Sequence, residues 1–314
     1  MNSADPHTDE RPHVGRFAPS PTGPLHFGSL LAATASYLQA HRAGGQWRLR
    51  IEDIDPPREQ PGAREAIPAV LSRFGFAWDG PIQYQSDHLP CYQKALEQLL
   101  ESGWAYPCAC TRREVREAGR QGPDGPIYPG TCRQGLPPGR QGRSIRLSTQ
   151  DSEASFQDSL QGRIQLDLER DMGDFVIRRA DGLIAYHLAA AVDDGDPEIT
   201  HVVRGIDLLY STPRQIWLMQ CLGLTPPRYA HIPVALSLDG QKLSKQTGAQ
   251  ALDPERPSPS LHQALQALGQ AIPPELQTAP LDEIWDWAHA NWDPAPLKGR
   301  KEIDYPVWEK GSVR

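Results

Sequence analysis

The pattern of apolar and polar positions predicts that strands and helices alternate in the first hundred residues. A short extended run, a turn rich in Gly and Pro, and a helix of small and apolar residues come first. A strand follows over residues 46–55, and the apolar spacing predicts helices over residues 61–75 and 89–103. This order of elements favours a parallel α/β sheet.

The pattern changes in the middle of the chain. Residues 106–146 are rich in Gly, Pro and Arg with little apolar periodicity, whereas residues 145–180 alternate apolar and polar positions as antiparallel strands do. We therefore expect an inserted subdomain over residues 106–182, which separates two halves of the sheet domain at residues 14–105 and 183–252.

Beyond the insertion, helices and strands alternate again. The predicted elements are a helix over residues 183–194, a strand over 199–205, a helix over 208–222 and a strand over 229–237. A Pro-rich linker then leads into a short helical region, residues 253–314, with helices near 259–270 and 281–291. The polar residues 1–13 are predicted to form a disordered tail.

The composition is that of a soluble globular protein. The chain has 314 residues, of which 39% are hydrophobic and 23% charged. It contains no run of 18 apolar residues and no apolar N-terminal core, so neither a membrane span nor a secretory signal is predicted. Five cysteines, an odd number, fit a reducing cytoplasm better than a disulfide framework. We expect a cytoplasmic monomer.

The net charge of −7 argues against indiscriminate binding of nucleic acid but leaves room for a tRNA partner on a local basic face. The arginines available for such a face are Arg112, Arg113, Arg116, Arg120, Arg133, Arg140, Arg143 and Arg146. A solvated charged surface is an equally good interpretation of these residues.

The first chemical signal is the turn that opens the first helix. The N–H groups of a first helical turn have no intrahelical partners, and the helix dipole favours anions, so a strand–turn–helix is a natural phosphate site. His26 can donate a hydrogen bond to a phosphate there, and Gly28 allows close approach to the backbone. On these two residues alone, an ordinary turn before a core helix is the commoner interpretation.

The longer string RFAPSPTGPLHFGSL, which begins at Arg16, resembles the first signature of class I aminoacyl-tRNA synthetases of the glutamyl branch. A second signature, Lys242-Leu-Ser-Lys245-Gln, resembles their lysine loop. Ser29 and Gln246 depart from the usual forms. The resemblance implies a Rossmann-type parallel sheet that binds ATP together with magnesium. In the implied reaction, the carboxylate of an amino acid attacks the α-phosphate of ATP. The implied ATP-binding residues are His26, Gly28, Lys242 and Lys245, of which His26, Gly28 and Lys245 are the catalytic ones.

The same resemblance implies a glutamate site. Guanidinium groups bind carboxylates bidentately, and a carboxylate binds an ammonium group. Arg16 and Arg204 are the candidates for the substrate carboxylate, Glu52 for its ammonium, and Ser20 and Tyr186 for its orientation. The full implied set is Arg16, Phe17, Ala18, Pro19, Ser20, Glu52, Tyr186 and Arg204. Without the resemblance, a surface ion pair for Arg204 and a core position for Tyr186 would be as plausible.

A possible metal site lies in the insertion. Cys108 and Cys110 point to the same side of an extended segment, and Cys132 follows. A structural zinc site needs four ligands, and no histidine lies between residues 89 and 186, so spacing alone leaves zinc and three unconnected buried thiols equally open. The glutamyl-synthetase-like enzymes that modify queuosine carry zinc on a similar Cys-x-Cys and Tyr-x-x-x-Cys pattern. That resemblance implies one structural zinc on Cys108, Cys110, Tyr128 and Cys132.

The resemblance covers residues 14–252, and only about 60 residues follow, where full-length glutamyl synthetases continue into an anticodon-binding domain. The features together resemble the glutamyl-queuosine tRNA(Asp) synthetases: a class I synthetase α/β fold, an inserted zinc-containing α/β subdomain and a short helical C-terminal region. The implied activity uses L-glutamate and ATP and transfers glutamate to the queuosine base at the wobble position of tRNA(Asp). Three alternatives remain: a truncated true glutamyl-tRNA synthetase, a non-catalytic, synthetase-like tRNA-binding protein, and a nucleotidyltransferase that uses the same nucleotide site on a substrate other than an amino acid.

Overall fold

The computed structural model describes residues 11–195, 197–236 and 250–304. Its first part contains strands β1 (Val14–Phe17), β2 (Gln46–Ile51) and β3 (Gln83–Tyr84), and helices α1 (Phe27–Arg42), α2 (Ala63–Arg73) and α3 (Leu89–Glu101). β1 pairs with β2 and β2 with β3, in both cases in parallel. The predicted parallel α/β arrangement is confirmed, and both predicted helices lie within their expected ranges.

The middle of the chain is built from short strands. Its elements are β4 (Ala105–Cys108), α4 (Arg112–Ala118), β5 (Gln121–Gly122), β6 (Gly125–Pro126), β7 (Ser144–Leu147), β8 (Glu153–Asp158), β9 (Gly162–Asp167), α5 (Leu168–Asp171) and β10 (Phe175–Arg178). β4, β7 and β10 form one antiparallel sheet. β8 and β9 form an antiparallel hairpin.

The remaining elements are α6 (Tyr186–Asp194), β11 (His201–Gly205), α7 (Ser211–Leu222), β12 (Arg228–Ile232), β13 (Val234–Leu236), α8 (Pro257–Ala267), α9 (Leu281–Asn291) and β14 (Glu302–Asp304). β11 pairs in parallel with β12, and β13 with β14. The Thr200 N–H donates to the Val14 carbonyl at 3.0 Å, which ties the start of β11 to β1. The two halves of the parallel sheet therefore lie side by side.

The β8–β9 hairpin differs from the expectation that every strand of residues 145–180 belongs to the insertion. β8 runs parallel to β12, with Tyr229 opposite Asp158, so the hairpin extends the sheet of the second half. Alternating apolar and polar positions show that one face of a strand is buried, but they do not show which sheet the strand joins. The pattern was therefore correct for strand type and wrong for strand partner.

Helix α1 lies at the centre of the largest apolar cluster. Its residues Leu30 and Ala33 pack with Trp47 of β2, and the C-terminal helices α8 and α9 contribute Leu261 and Trp285 to the same cluster. α1 is buried on most of its surface because the sheet covers one side and the C-terminal helices cover another. Its N-terminus is thereby held at the carboxyl ends of the strands. Within the described residues, no helix has the length and apolar character that a membrane crossing requires.

Candidate active site

The N-terminus of α1 is capped by two residues of the first signature. His26 Nδ1 accepts a hydrogen bond from the Gly28 N–H at 3.1 Å, and Ser29 Oγ accepts one from the His26 N–H at 3.4 Å. Because Nδ1 is an acceptor, the proton of a neutral His26 ring lies on Nε2. Ser29, which departs from the usual signature and had no predicted role, stabilises the start of the helix.

A cavity of about 650 Å³ opens beside this helix terminus, at the carboxyl ends of β1, β2 and β11. All the predicted ATP-site and glutamate-site residues that the structure describes line it: Arg16, Phe17, Ala18, Pro19, Ser20, His26, Gly28, Glu52, Tyr186 and Arg204. Ligand sites of parallel α/β sheets lie at this edge of the sheet. Lys242 and Lys245 lie outside the described residues. Just after them, Leu252 N–H donates to the Leu25 carbonyl at 2.9 Å, and Ala251 bridges to His26.

One wall of the cavity is a buried network of paired charges. Arg16 donates through Nε and Nη2 to the two oxygens of Asp194, at 3.0 and 2.8 Å. Arg50 Nη2 donates to the same carboxylate at 2.7 Å, and its Nε lies 3.6 Å from Asp193. Asp193 in turn accepts from Tyr92. Burial opposes ionisation, but Arg16 and Arg50 hold the pKa of Asp194 well below its usual range.

Asp193 and Asp194 were missed as site residues. The sequence showed an apolar helix ending in an acidic turn, and two adjacent carboxylates at the end of such a helix were the available signal. Both are 8% exposed or less, so each needs a buried cationic or hydrogen-bonding partner. Nothing local identifies Arg16, which is 178 residues away in the chain, as that partner.

Glu52 lies next to this network at the end of β2. Its carboxylate is 3.7 Å from Arg50 Nη2 and accepts a weak hydrogen bond from Ser20 Oγ at 3.4 Å. Burial raises the pKa of Glu52 above its ordinary value, although Arg50 and Arg16 act in the opposite direction. Arg50 Nη2 lies 2.7 Å from Asp194 and 3.7 Å from Glu52, and Arg16 is bonded to Asp194, so Asp194 is balanced better than Glu52.

Arg204 lies on the opposite wall, and its hydrogen-bond partners are neutral. Its Nη2 donates to Thr212 Oγ1 at 2.8 Å and to Gln215 Oε1 at 2.7 Å, and its Nε donates to His231 Nε2 at 3.2 Å. The third nitrogen, Nη1, is buried and has no hydrogen-bond partner among the described residues. Arg204 therefore presents a positive charge that no carboxylate of the described residues neutralises from within hydrogen-bonding distance.

The insertion brings Cys108, Cys110, Cys132 and Tyr128 together. The three sulfur atoms lie within 4.8 Å of one another, and Cys110 Sγ is 3.7 Å from Cys132 Sγ. The Tyr128 hydroxyl is 3.4 Å from Cys108 Sγ and 3.6 Å from Cys110 Sγ. These groups can hold a metal ion, and the alternative of three unconnected thiols does not describe this geometry.

The arginines of the insertion fall into two groups. Arg133 pairs with Asp174 and Glu169, and Arg146 is buried, donating to Cys108 Sγ at 3.3 Å with its guanidinium 3.9 Å from the Tyr128 ring centroid. Neither is available to a large partner. The exposed members are Arg112, Arg113, Arg116, Arg120, Arg140 and Arg143, of which Arg140 also pairs with Glu114 at 2.7 Å.

Comparisons with known proteins identify the family and the fold of this chain. The family described as tRNA synthetases class I (E and Q), catalytic domain, matches residues 13–256. A glutamyl-Q tRNA(Asp) synthetase from Dechloromonas aromatica is 53% identical over 90% of this chain and 94% of its own length, and one from Chromobacterium violaceum is 52% identical over 88% and 93%. A solved glutamate tRNA ligase from Elizabethkingia meningosepticum is 25% identical, with a TM-score of 0.76 over 94% of this chain and 67% of its own.

Proposed function

Since this chain belongs to the glutamyl-Q tRNA(Asp) synthetases, within the class I tRNA synthetases, we propose that it activates L-glutamate with ATP and transfers the glutamyl group to queuosine in tRNA(Asp). The observation that carries this proposal is the composition of the cavity. The N-terminus of α1, the carboxylate of Glu52 and the cation of Arg204 surround one volume, which suits a nucleotide phosphate, an ammonium and a carboxylate.

The first chemical step joins the glutamate carboxylate to the α-phosphate of ATP. An oxygen–phosphorus bond forms, the bond to the β-phosphate breaks, and pyrophosphate leaves with glutamyl-adenylate as the other product. The first-turn N–H groups of α1 and the Nε2–H of His26 would hold the triphosphate. Lys245, assisted by Lys242 and magnesium, would neutralise charge that develops on the phosphates. Catalysis is then positioning and electrostatic stabilisation without a nucleophilic side chain.

The glutamate-binding roles follow from which charges are already paired. Glu52 would bind the substrate ammonium, because its own cations are shared with Asp193 and Asp194. Arg204 would bind the side-chain carboxylate through Nη1. Arg16 would contribute less than Arg204, since the carboxylate of Asp194 already neutralises its charge. Tyr186 and Ser20 would orient the substrate, and residues 17–19 would form part of the cavity floor.

We propose that the cysteine cluster holds one structural zinc. Zinc with tetrahedral ligands and bonds of about 2.3 Å to sulfur and about 2.0 Å to oxygen places sulfur atoms roughly 3.8 Å apart and sulfur–oxygen pairs roughly 3.5 Å apart. The observed spacing of 3.7 Å between Cys110 and Cys132, and of 3.4 and 3.6 Å from Tyr128 to Cys108 and Cys110, fits those values. Arg146 would balance the negative charge of the ligands. Elemental analysis of purified protein is expected to find one zinc per chain, and a metal-free protein with the same fold would contradict the assignment.

The insertion is also the proposed contact for tRNA. The exposed arginines of residues 112–143 provide a basic face, whereas Arg133 and Arg146 serve the structure of the insertion itself. We propose units at residues 14–105, 106–182, 183–252 and 253–314, of which residues 237–249 and 305–314 lie outside the described residues. The β8–β9 hairpin lies within the second unit in sequence but extends the sheet of the third. We propose a cytoplasmic monomer as the working form.

The decisive experiment compares acceptors. Labelled glutamate is supplied with ATP to tRNA(Asp) with and without queuosine, and to tRNA(Glu) with and without its 3′ end. Label only on queuosine-containing tRNA(Asp) is the expected result. Label on tRNA(Glu) that disappears with its 3′ end would identify a translational synthetase instead. If no tRNA acquires label and glutamate-dependent exchange of pyrophosphate into ATP is also absent, the catalytic proposal fails.

A further inference from the structure

Behind Arg204 lies a buried chain of polar groups that does not line the cavity. His231 of β12 is 0% exposed and Asp158 at the end of β8 is 1% exposed. His231 Nδ1 is 2.6 Å from Asp158 Oδ2, and His231 Nε2 is 3.2 Å from Arg204 Nε. The three side chains therefore form a line from the β8–β9 hairpin to the cavity wall.

The proton positions in this line follow from one fixed group. The Nε of an arginine can only donate, so His231 Nε2 must be the acceptor and carries no proton. The proton of a neutral ring then lies on Nδ1, where it faces Asp158. Asp158 Oδ1 is fixed in turn, because it accepts from the N–H groups of Leu160 and Gln161, both at 2.9 Å. The Thr212 hydroxyl, 2.9 Å from the same Nε2, can donate to it as well, so both neighbours are compatible with an unprotonated Nε2.

This arrangement determines where Arg204 points. His231 fixes Nε, while Thr212 and Gln215 fix Nη2. Only Nη1 is left without a hydrogen-bond partner among the described residues, and it belongs to a guanidinium that lines the cavity. If the His231 proton moved to Nε2, it would face the Arg204 Nε–H, and Arg204 would lose one of the three hydrogen bonds that orient it.

We propose that Asp158 and His231 are positioning residues for glutamate recognition: they hold Arg204 so that Nη1 meets the side-chain carboxylate of the substrate. The inference rests on the proposed function and adds to it two residues that do not touch the substrate. It also gives the β8–β9 hairpin a role, since pairing with β12 is what places Asp158 beside His231.

The test uses the full chain and glutamate-dependent exchange of pyrophosphate into ATP, with KM measured separately for glutamate and ATP. His231→Asn retains a donor near Nδ1 and removes the acceptor for Arg204; we expect KM for glutamate to rise at least about 10-fold and KM for ATP to stay within about 2-fold. His231→Gln retains an acceptor near Nε2 and should restore most of the glutamate affinity. His262→Asn is the matched control, because His262 is also buried but bonds to the Pro273 carbonyl in the C-terminal region.

Asp158→Asn tests the same line from its other end. Its carbonyl oxygen remains with the backbone donors, so its NH₂ group faces His231 Nδ1 and forces the proton to Nε2. We expect the same selective rise in KM for glutamate, by analogy with other tautomer-fixing aspartates. Should His231→Asn fail to fold, as judged by circular dichroism, Asp158→Asn decides the question.

Four results would overturn the inference. The first is an unchanged KM for glutamate in both variants, and the second is an equal rise for glutamate and ATP. The third is a His231→Gln variant as impaired as His231→Asn, and the fourth is unfolding of both His231→Asn and Asp158→Asn. Either of the last two would show a packing role alone. If the wild-type protein shows no glutamate-dependent exchange, the proposed function itself fails. If the wild type shows exchange and the variants have the same KM values as the wild type, only the present inference fails.

Discussion

Arg16 and Arg204 line the same cavity, yet their guanidinium groups are held by opposite kinds of partner. Arg16 makes two hydrogen bonds to the carboxylate of Asp194, whereas Arg204 is held by a histidine, a threonine and a glutamine. A cation paired with a carboxylate attracts a further anion weakly, because its field is largely cancelled. A cation held by neutral acceptors keeps its field for a ligand. The β1 wall is thus built for stability and the β11 wall for recognition.

The largest expected effect comes from removing one charge from the paired charges of the β1 wall. Asp194→Asn leaves Arg16 and Arg50 buried with one carboxylate fewer, and we expect the free energy of unfolding to fall by about 3 kcal/mol. Urea unfolding at pH 7.5 measures this loss. Asp286→Asn, a change at an exposed position of α9, should lie within about 0.5 kcal/mol of wild type.

The same variant has a defined pH dependence. The pKa of Asp194 is lower in the folded state than its usual value of 3.8, so its contribution to stability is present above that value and is lost as the pH falls below it. The difference in free energy of unfolding between wild type and Asp194→Asn should therefore be constant from pH 5 to 7.5 and should become smaller below about pH 4. A gap that persists unchanged in acid would show that ionisation of Asp194 is not the source of the effect.

The next largest effect is expected from a change at Arg204 in the β11 wall. Arg204→Gln should lower kcat/KM for glutamate in pyrophosphate exchange at least about 100-fold, because a charged contact to the substrate is lost. Its free energy of unfolding should change less than that of Asp194→Asn, since neutral partners leave no buried charge unpaired. A variant that loses stability as severely as Asp194→Asn and keeps its glutamate kinetics would reverse the roles assigned to the two walls.

A smaller effect separates the two arginines. Arg16→Gln leaves Asp194 paired with Arg50 at 2.7 Å, so the carboxylate is not stranded. We expect KM for glutamate to rise about 10-fold, less than the loss in Arg204→Gln, because Arg16 shares its charge with Asp194. Parallel pyrophosphate-exchange assays of the two variants decide the order. Equal or larger losses in Arg16→Gln would mean that its pairing with Asp194 does not weaken its contact with the substrate.

The sequence predicted the recognition residues better than the groups that hold them. The family resemblance implied Arg16, Glu52 and Arg204 as one set, and the alternation of strands and helices predicted the parallel sheet whose edge they share. The supporting partners lack such a signal. Asp158 lies 73 residues from His231, and its strand could equally have joined the insertion sheet by its apolar pattern. Long-range pairing of buried polar groups is decided by which strands meet, and local periodicity does not encode that choice.

The smallest expected effect concerns Glu52, which lies between the two walls. Burial raises its pKa above the ordinary value of 4.5, so the folded state holds the proton more tightly than the unfolded state does. The stability contribution of Glu52 is therefore lost as the pH rises from that value through the raised pKa, which is the opposite sign to Asp194. Glu52→Gln removes this cost, and we expect the melting temperature at pH 7.5 to rise by about 1–3 °C, with the difference disappearing near pH 4.

The same variant should bind glutamate less well, because an amide does not pair with an ammonium as a carboxylate does. Differential scanning calorimetry at both pH values, combined with KM for glutamate, tests whether this position gives up stability for substrate binding. A Glu52→Gln protein that is less stable than wild type at pH 7.5 would show instead that Glu52 stabilises the fold, as the paired charges of the β1 wall do.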